Sequence, residues 1–335
     1  VKLLKTLLLT DNEVKDLLQI SEVITSVENA FREKGLNRIQ MPAKIYLNFN
    51  KEQGDLRSMP AFLDKLEISA VKIVNVHPNN PSRYKIPTVM ATIILIDPKT
   101  GFPLSIMGGT TITNMRTGAA GAIAVKYLAK ENCKRIGFIG AGIQARTQLL
   151  AILSLIDTIE GIKVWSRTKE SILAFINEAK KKYGKKYRFF SAQSIKEATS
   201  EVDLIITTTP SVIPLVKKSM LSPGVHINCI GADASGKQEL DPKILTNAKI
   251  VVDDWNQAAH SGEINVPLHS GLIDSSNVYG ELGEIVAGLK PGRTNNSEIT
   301  VFVSTGLAIQ DAVTAQLAFE KAKGKKIGEL VNFVI

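Results

Sequence analysis

The chain has 335 residues, 44% of them hydrophobic and 22% charged, which predicts a soluble globular protein with two domains, or one domain carrying a large insertion. The formal net charge is +9, but the lysines are dispersed, their two clusters (residues 180–186 and 321–326) read as solvated helix ends, and the few aromatics form no stacking pattern, so nucleic acid is excluded as a partner and a small anionic substrate or phosphorylated cofactor is favoured. No stretch has the length of a membrane helix, no signal-peptide pattern stands at the start, and Cys133 and Cys229 are the only cysteines; this excludes a membrane partner, a disulfide framework and a zinc site, and predicts a reducing, cytoplasmic setting.

Residues 1–9 are apolar but interrupted by Lys2 and Lys5, and read as an edge strand. Residues 11–35 carry Val14, Leu17, Leu18, Ile20, Val23, Ile24, Val27 and Phe31 at helical spacing, which predicts one amphipathic helix. Short apolar runs at 44–49, 68–74 and 88–96, separated by turn residues and followed by a hairpin turn at 97–101, predict an antiparallel or mixed sheet. From about residue 120 the rhythm changes. A helical stretch at 118–129 leads into an apolar strand at 136–139, and strands at 162–165, 202–207, 226–230 and 250–253 follow with helices between most of them. That alternation predicts a doubly wound parallel sheet. Residues 305–319 read as one long helix.

Directly after the strand at 136–139, Gly140, Gly142 and Ala145 stand in the spacing G-x-G-x-x-A, and helical spacing resumes at Arg146. Strand, glycine turn and helix start in this order form a dinucleotide-binding fingerprint. Gly140 allows the tight turn, Gly142 lets backbone approach a pyrophosphate, Ala145 lets helix and strand pack, and the helix-start N–H groups hold phosphate. The acidic residue expected about 20 residues further on to bind the adenine ribose is replaced by Trp165-Ser166-Arg167-Thr168. Ser166 and Thr168 can bond a 2′-phosphate and Arg167 can pair with it, so NADP(H) is favoured and NAD(H) stays open.

Four further residues stand out. Lys72 lies in the middle of an apolar strand, either on its solvent face or buried with a partner or task. Arg57 and Arg116 sit beside apolar residues at what read as element boundaries, suited to surface ion pairs or to a bidentate carboxylate clamp. Asp233 follows an apolar strand of the parallel sheet, where ligands bind, and suits a general acid/base or a turn or capping residue.

Several runs resemble the ornithine cyclodeaminase/mu-crystallin family, and within it the archaeal alanine dehydrogenase branch. They are Met41-Pro-Ala-Lys44, Arg57-Ser-Met-Pro-Ala61, Val71 to Pro81 with its Asn75-Val-His77-Pro core, Met115-Arg116-Thr-Gly-Ala119, the glycine turn with Ile143 and Gln144, Thr207-Thr208-Thr-Pro210, Gly231-Ala-Asp233, Gly236-Lys-Gln-Glu-Leu240, Val251-Val-Asp-Asp254, Gly262-Glu-Ile264 and Ser304-Thr305-Gly306-Leu-Ala308. The resemblance implies that Lys72 lies by the substrate, with Lys44 as a further substrate-side lysine. It implies that Arg57 and Arg116 bind the substrate carboxylate and that Asp233 is the catalytic acid/base. Gly140, Gly142, Ile143, Gln144, Ala145, Ser166, Arg167, Thr168, Thr207, Thr208, Ser304, Thr305 and Gly306 would serve the cofactor.

The implied architecture is a Rossmann-type domain (121–307) inserted into an α+β substrate and dimerisation domain (1–120 plus 308–335), paired as a homodimer. The implied activity is NAD(P)-dependent interconversion of a small L-amino acid with its imine or 2-oxo acid. Ornithine cyclodeamination, reduction of a cyclic imino acid such as Δ1-pyrroline-2-carboxylate, and non-catalytic NADPH binding are the alternatives. Two departures stand out: residues 165–168 resemble the NADPH-using mu-crystallin branch, and Met107-Gly-Gly-Thr110 replaces a pattern that often carries an acidic residue after Met.

Overall fold

The computed structural model describes residues 4–334. The chain divides into two compact units, Val1–Arg116 with Leu307–Ile335, and Thr117–Gly306.

The first unit is built on an eight-stranded mixed sheet. Across it run Glu329–Val331, Thr6–Leu9, Pro103–Gly108, Val89–Ile96, Ile68–Val76, Gly54–Leu63 and Ile39–Gln40, with Ile45–Phe49 also paired to Gly54–Leu63. Thr6–Leu9 and Pro103–Gly108 are parallel; the other pairs are antiparallel. The opening strand is therefore not an edge, because Glu329–Val331 returns from the far end of the chain to cover it; residues 1–3 of that expectation lie outside the described residues.

The expected helix at 11–35 is two helices, Asp11–Leu17 and Ile20–Gly35. Thr10 and Glu13 cap the first reciprocally, and Leu18 and Gln19 take extended backbone between them. The break lets Leu17 and Leu18 both be buried, the first helix packing on Pro103–Gly108 and the second on the C-terminal helix Ala308–Lys325.

That helix lies on the central strands of the sheet. Strand alternation sends Arg57, Met59, Ala61 and Leu63 into the covered face, together with Ala70, Lys72 and Val74 and with Ala91, Ile93 and Leu95. Each fully buried large aliphatic contributes roughly 1.5–3 kcal/mol. The opposite face holds half-buried Leu56, Pro60, Phe62, Val71, Ile73 and Ile94 and exposed Ile45, Leu47 and Phe49.

Arg57 and Arg116 are not at element boundaries. Arg57 is inside Gly54–Leu63, and Arg116 is inside the helix Thr110–Leu128. The strand is obscured in sequence by Gly54 and Pro60. Pro60 falls between the two short outer partners, which pair with residues 54–58 and 62–63, and a strand accepts a residue without an N–H where its edge is open. The helix begins earlier than its alanine-rich part because the Asp11 carboxylate, from a distant segment, accepts the Thr111 N–H at 2.9 Å and its hydroxyl at 2.7 Å.

The second unit is an eight-stranded parallel sheet in the order Arg188–Ser191, Gly161–Trp165, Arg135–Ile139, Leu204–Thr207, His226–Cys229, Thr300–Val303, Lys249–Val252 and Val278–Glu281. Chain direction across the sheet reverses between Arg135–Ile139 and Leu204–Thr207, the switch point of a Rossmann-type fold. Helices Ile143–Leu155, Lys169–Tyr183 and Ile195–Thr199 pack on its strands. Both lysine clusters end helices as expected, one at Lys169–Tyr183 and the other, with Lys323, Lys325 and Lys326 exposed, at Ala308–Lys325; Lys321 alone is partly buried, paired with Glu22. Among the described residues no helix is long and apolar enough to cross a membrane, and no group of His, Cys, Asp and Glu could hold a metal.

Candidate active site

The glycine turn has the geometry its spacing predicts. Gly140 has φ +108°, and a Cβ there would stand 2.5 Å from Thr208 Oγ1, so no other residue fits. Gly142 occupies the N-cap of Ile143–Leu155 without a capping side chain, and a Cβ built on it would enter open space. Ile143 is exposed and Ala145 is fully buried. Arg146 donates to the carbonyls of Ala141 (2.5 Å) and Gly142 (3.1 Å), so the carbonyls of the turn are tied back. The N–H groups that open an α-helix have no intrahelical acceptor, and the N-cap here is a glycine with open space around its Cα and no capping side chain. This cradle fits a dinucleotide pyrophosphate.

Ser166 is half-buried; Arg167 and Thr168 are exposed. The Gly140 N–H donates to the Trp165 carbonyl at 2.9 Å, pinning this loop to the glycine turn. Thr207 is fully buried and turned inward, its hydroxyl 3.5 Å from the Asn228 carbonyl. Thr208 packs on Gly140. Ser304 is buried. The N–H groups of Thr305 and Gly306 donate to Asp253 Oδ2 at 2.6 and 2.8 Å, and the Thr305 hydroxyl to Oδ1 at 3.0 Å. Those bonds hold residues 305 and 306 out of the final helix, which begins at Ala308.

Asp233 lies beyond the C-terminal end of His226–Cys229, half-exposed, with Oδ1 2.6 Å from Lys237 Nζ. Burial pushes the Cys133 thiol up to about 12 and the Cys229 thiol well above its ordinary value, so burial favours the protonated form of both.

In the first unit the cations meet a carboxylate that sequence reasoning missed. Lys72 Nζ is 2.6 Å from Asp311 Oδ2, and Arg116 Nε donates to Asp311 Oδ1 at 3.0 Å. Arg116 Nη1 donates to Gln310 Oε1 at 3.1 Å, and Lys72 lies 3.5 Å from the Thr113 hydroxyl. Lys72 and Asp311 are each 1% exposed. Arg57 is one register step from Lys72 on the same sheet face, bidentate to Asp55 at 2.7 and 3.1 Å and 5.4 Å from the Tyr46 ring. Burial lowers Lys72 to about 7; Asp311 opposes the shift, and the positive charges of Arg116 and Lys44 add to it. Lys44, half-buried before Ile45–Phe49, is thus within electrostatic reach of the cluster.

Residues 4–326 match the family model described as ornithine cyclodeaminase/mu-crystallin family. This chain belongs to that family. It is 47% identical to an alanine dehydrogenase of Archaeoglobus fulgidus over 330 residues, 98% of this chain and 99% of that protein. Among solved structures it is similar to an archaeal alanine dehydrogenase dimer with bound NAD (46% identity, TM-score 0.93, 98% and 99% covered). It is also similar to Thermococcus litoralis Δ1-pyrroline-2-carboxylate reductase in complex with NADH and L-proline (42%, TM-score 0.93, 97% and 100% covered).

Other buried acids of this family member also escaped the sequence reading. Asp253, at the end of Lys249–Val252, anchors residues 305–306. Glu239 and Glu263 are fully buried; burial raises Glu239 to about 7 and Glu263 well above the carboxylate range. The available signal was their place in the family-like runs at 236–240, 251–254 and 262–264. Asp311 and Gln310 carried a different one, two polar residues in an otherwise apolar helical stretch.

Proposed function

We propose that this chain is an NAD(P)-dependent oxidoreductase interconverting a small L-amino acid with its imine and 2-oxo acid, as an alanine dehydrogenase does. The observation that carries the reading is the buried cluster of Lys72 and Arg116 on Asp311, with Arg57 beside it. A dry, cationic site suits a small carboxylate, and a lysine titrating near neutrality suits a substrate whose nitrogen and oxygen gain and lose protons.

The first unit serves as the substrate and dimerisation domain, and the second as the cofactor domain. Gly140, Gly142, Ile143, Gln144 and Ala145 hold the pyrophosphate, and Ser166, Arg167 and Thr168 hold the adenosine end, with NADP(H) preferred because no carboxylate stands there. Bound nicotinamide supplies the acceptor or donor of hydride at the substrate α-carbon. Arg116 and Arg57 bind the substrate carboxylate. Lys72 in its charged form stabilises negative charge at the substrate oxygen, and in its neutral form it accepts a proton. Asp233 takes the proton from the water that attacks the imine carbon. The carbinolamine so formed releases ammonia and leaves the 2-oxo acid; in reverse Asp233 returns the proton.

A second reading is reduction of a cyclic imino acid, supported by the similarity to the Thermococcus reductase over the whole chain. It needs no hydrolytic water and therefore less of Asp233. Ornithine cyclodeamination differs again, releasing ammonia without net change of the cofactor.

The half-buried sheet face of the first unit, lined by Leu56, Val71, Ile73 and Ile94 and flanked by exposed Ile45 and Leu47, suits a second copy of the chain in a homodimer. The two buried free thiols suit a reducing, cytoplasmic compartment.

A panel of alanine, ornithine, pyruvate with ammonia, and Δ1-pyrroline-2-carboxylate, each with NAD(H) and NADP(H), tests the reading. Pyruvate-dependent oxidation of reduced cofactor only in the presence of ammonia supports it. Turnover of the cyclic imine alone, or ammonia from ornithine without net reduced cofactor, would replace it.

A further inference from the structure

Asp233 belongs to the segment between Gly231 and Glu239, and buried side chains outside the roles above close that segment into a fixed loop. Glu239 Oε2 accepts the Gly231 N–H at 3.0 Å, joining the two ends. Glu239 Oε1 accepts both the N–H and the hydroxyl of Thr209, each at 2.6 Å, tying the loop to the segment after Leu204–Thr207. Glu263 holds the base of the loop: its Oε1 accepts the N–H of Glu239 at 2.9 Å and of Leu240 at 2.6 Å. Asn265 grips the middle, accepting the Gly236 N–H at 2.9 Å and donating to the Lys237 carbonyl at 3.0 Å.

Glu239 and Glu263 are 0% exposed and Asn265 2%. Gly231 is part of the same device, since a Cβ there would lie 2.1 Å from the Thr209 carbonyl oxygen and 2.6 Å from Glu239 Oε2. The partners of both glutamates are N–H groups and the hydroxyls of Thr209 and Thr207 rather than cations, so these carboxylates bear a desolvation cost that apolar residues would avoid. Packing does not call for that arrangement, whereas rigid placement of a reacting group does.

We infer that Glu239, seated on Glu263 and Asn265, is a positioning residue that fixes the loop carrying Asp233, so that its carboxylate keeps one orientation at the C-terminal edge of the cofactor sheet. Thr209 is the second arm of the clasp. The inference rests on the proposed role of Asp233 in proton transfer.

The test is a double-mutant cycle with Thr209→Val and Asp233→Asn, accompanied by amide hydrogen exchange. Thr209→Val removes one donor to Glu239 and keeps the side-chain volume. In the wild-type background it should lower kcat roughly tenfold, the scale of a small misplacement of a reacting group, with KM for the amino acid unchanged. Thr209→Ser should restore most of that loss. In the Asp233→Asn background Thr209→Val should cost no more than about twofold, because both changes act on one step. Amides of residues 207–211 and 229–240 should exchange faster in Thr209→Val and in Glu239→Gln, with the rest of the sheet unchanged.

An equal loss from Thr209→Val in both backgrounds would overturn the inference while leaving Asp233 its role. Unchanged kcat and unchanged exchange would overturn it as well. Near-normal turnover of Asp233→Asn alone would remove the role of Asp233, and this inference with it.

Discussion

Replacing Asp311 with asparagine tests the electrostatic centre of the site. The substitution keeps the side-chain shape and removes the one anion 2.6 Å from Lys72 Nζ. At an effective dielectric of about 20, a pair at this distance interacts by about 6 kcal/mol, or more than four pKa units as an upper bound. The amide dipole and local relaxation return part of this, so a fall of at least about 2 units is expected. Lys72 titrates at about 7 in the wild type because burial lowers it and Asp311 opposes the fall. Asp311→Asn should therefore leave Lys72 neutral down to about pH 5.

A pH titration of the Lys72 ε-carbon NMR signal reads this directly, and the pH profile of kcat/KM should lose its break near 7. Stability gives an independent check with a defined sign. Lys72 has a folded-state value below its ordinary 10.5, so the stability linked to it is present at high pH and is lost as pH falls to the folded value. In the variant that loss continues to lower pH. Because Arg116 also loses its buried carboxylate, the variant should already be destabilised by about 3–5 kcal/mol at about pH 8, and it should lose a further ~1.4 kcal/mol per pH unit between about 7 and 5 relative to wild type. A Lys72 titration that stays near 7 in Asp311→Asn would refute the reasoning, as would a destabilisation independent of pH.

Asp233→Asn should lower turnover about 10²–10⁴-fold, the scale of a general acid/base, with cofactor affinity nearly unchanged; a capping role would instead lower the melting temperature and spare turnover per folded molecule. Arg167→Asp should move cofactor preference toward NAD(H), since it loses a charge-assisted bond of about 1.5–3 kcal/mol to the 2′-phosphate and adds repulsion; a wild type that already prefers NADH would contradict the reading of residues 165–168. His226 is fully buried between Thr300 and Asn228, and burial lowers it to about 3. Its ¹⁵N signals should show a neutral imidazole at about pH 5 and the stability linked to it should be lost as pH falls from about 6.5 through 3; a charged ring at pH 5 in folded protein would refute this.

Local signals were legible where local backbone decides the outcome. Gly140 reads as a turn glycine because only a residue without a Cβ takes φ +108° against Thr208, and that follows from its place between an apolar strand and a helix start. Strands such as Ile68–Val76 and Val89–Ile96 declare themselves by their own runs. The strands at 188–191, 278–281 and 300–303 did not: four residues carry no measurable period, and although the equally short 204–207, 226–229 and 249–252 were read as apolar runs, Arg188–Ser191 and Val278–Glu281 are broken by polar residues or glycine, and all three are held by parallel neighbours. Gly54–Leu63 was hidden for a related reason: its glycine, arginine and proline read as punctuation until the partner strands on each side are known.

The site divides along the same line. The cations Lys72, Arg57 and Arg116 were visible as charges in apolar surroundings, but the carboxylate that answers Lys72 and Arg116 was not, because Asp311 lies on a helix at the other end of the chain. Physical chemistry nevertheless constrains the search. A lysine buried in a sheet cannot stay charged unless an anion is buried with it, so reading Lys72 as buried obliges the sequence to contain an acidic residue in an equally apolar setting. Asp311 meets that description, flanked by Ala308, Ile309, Ala312 and Val313 on one helix. An aspartate in an apolar helical run is thus as informative as a lysine in an apolar strand, and the two are best read as a pair. The same argument extends to Glu239, Glu263 and Asp253, whose counterparts are backbone N–H groups instead of cations. Backbone donors leave no mark in the sequence, so the family-like runs around these three acids were their only signal there, and the groups that answer them became legible once the loops they hold were in view.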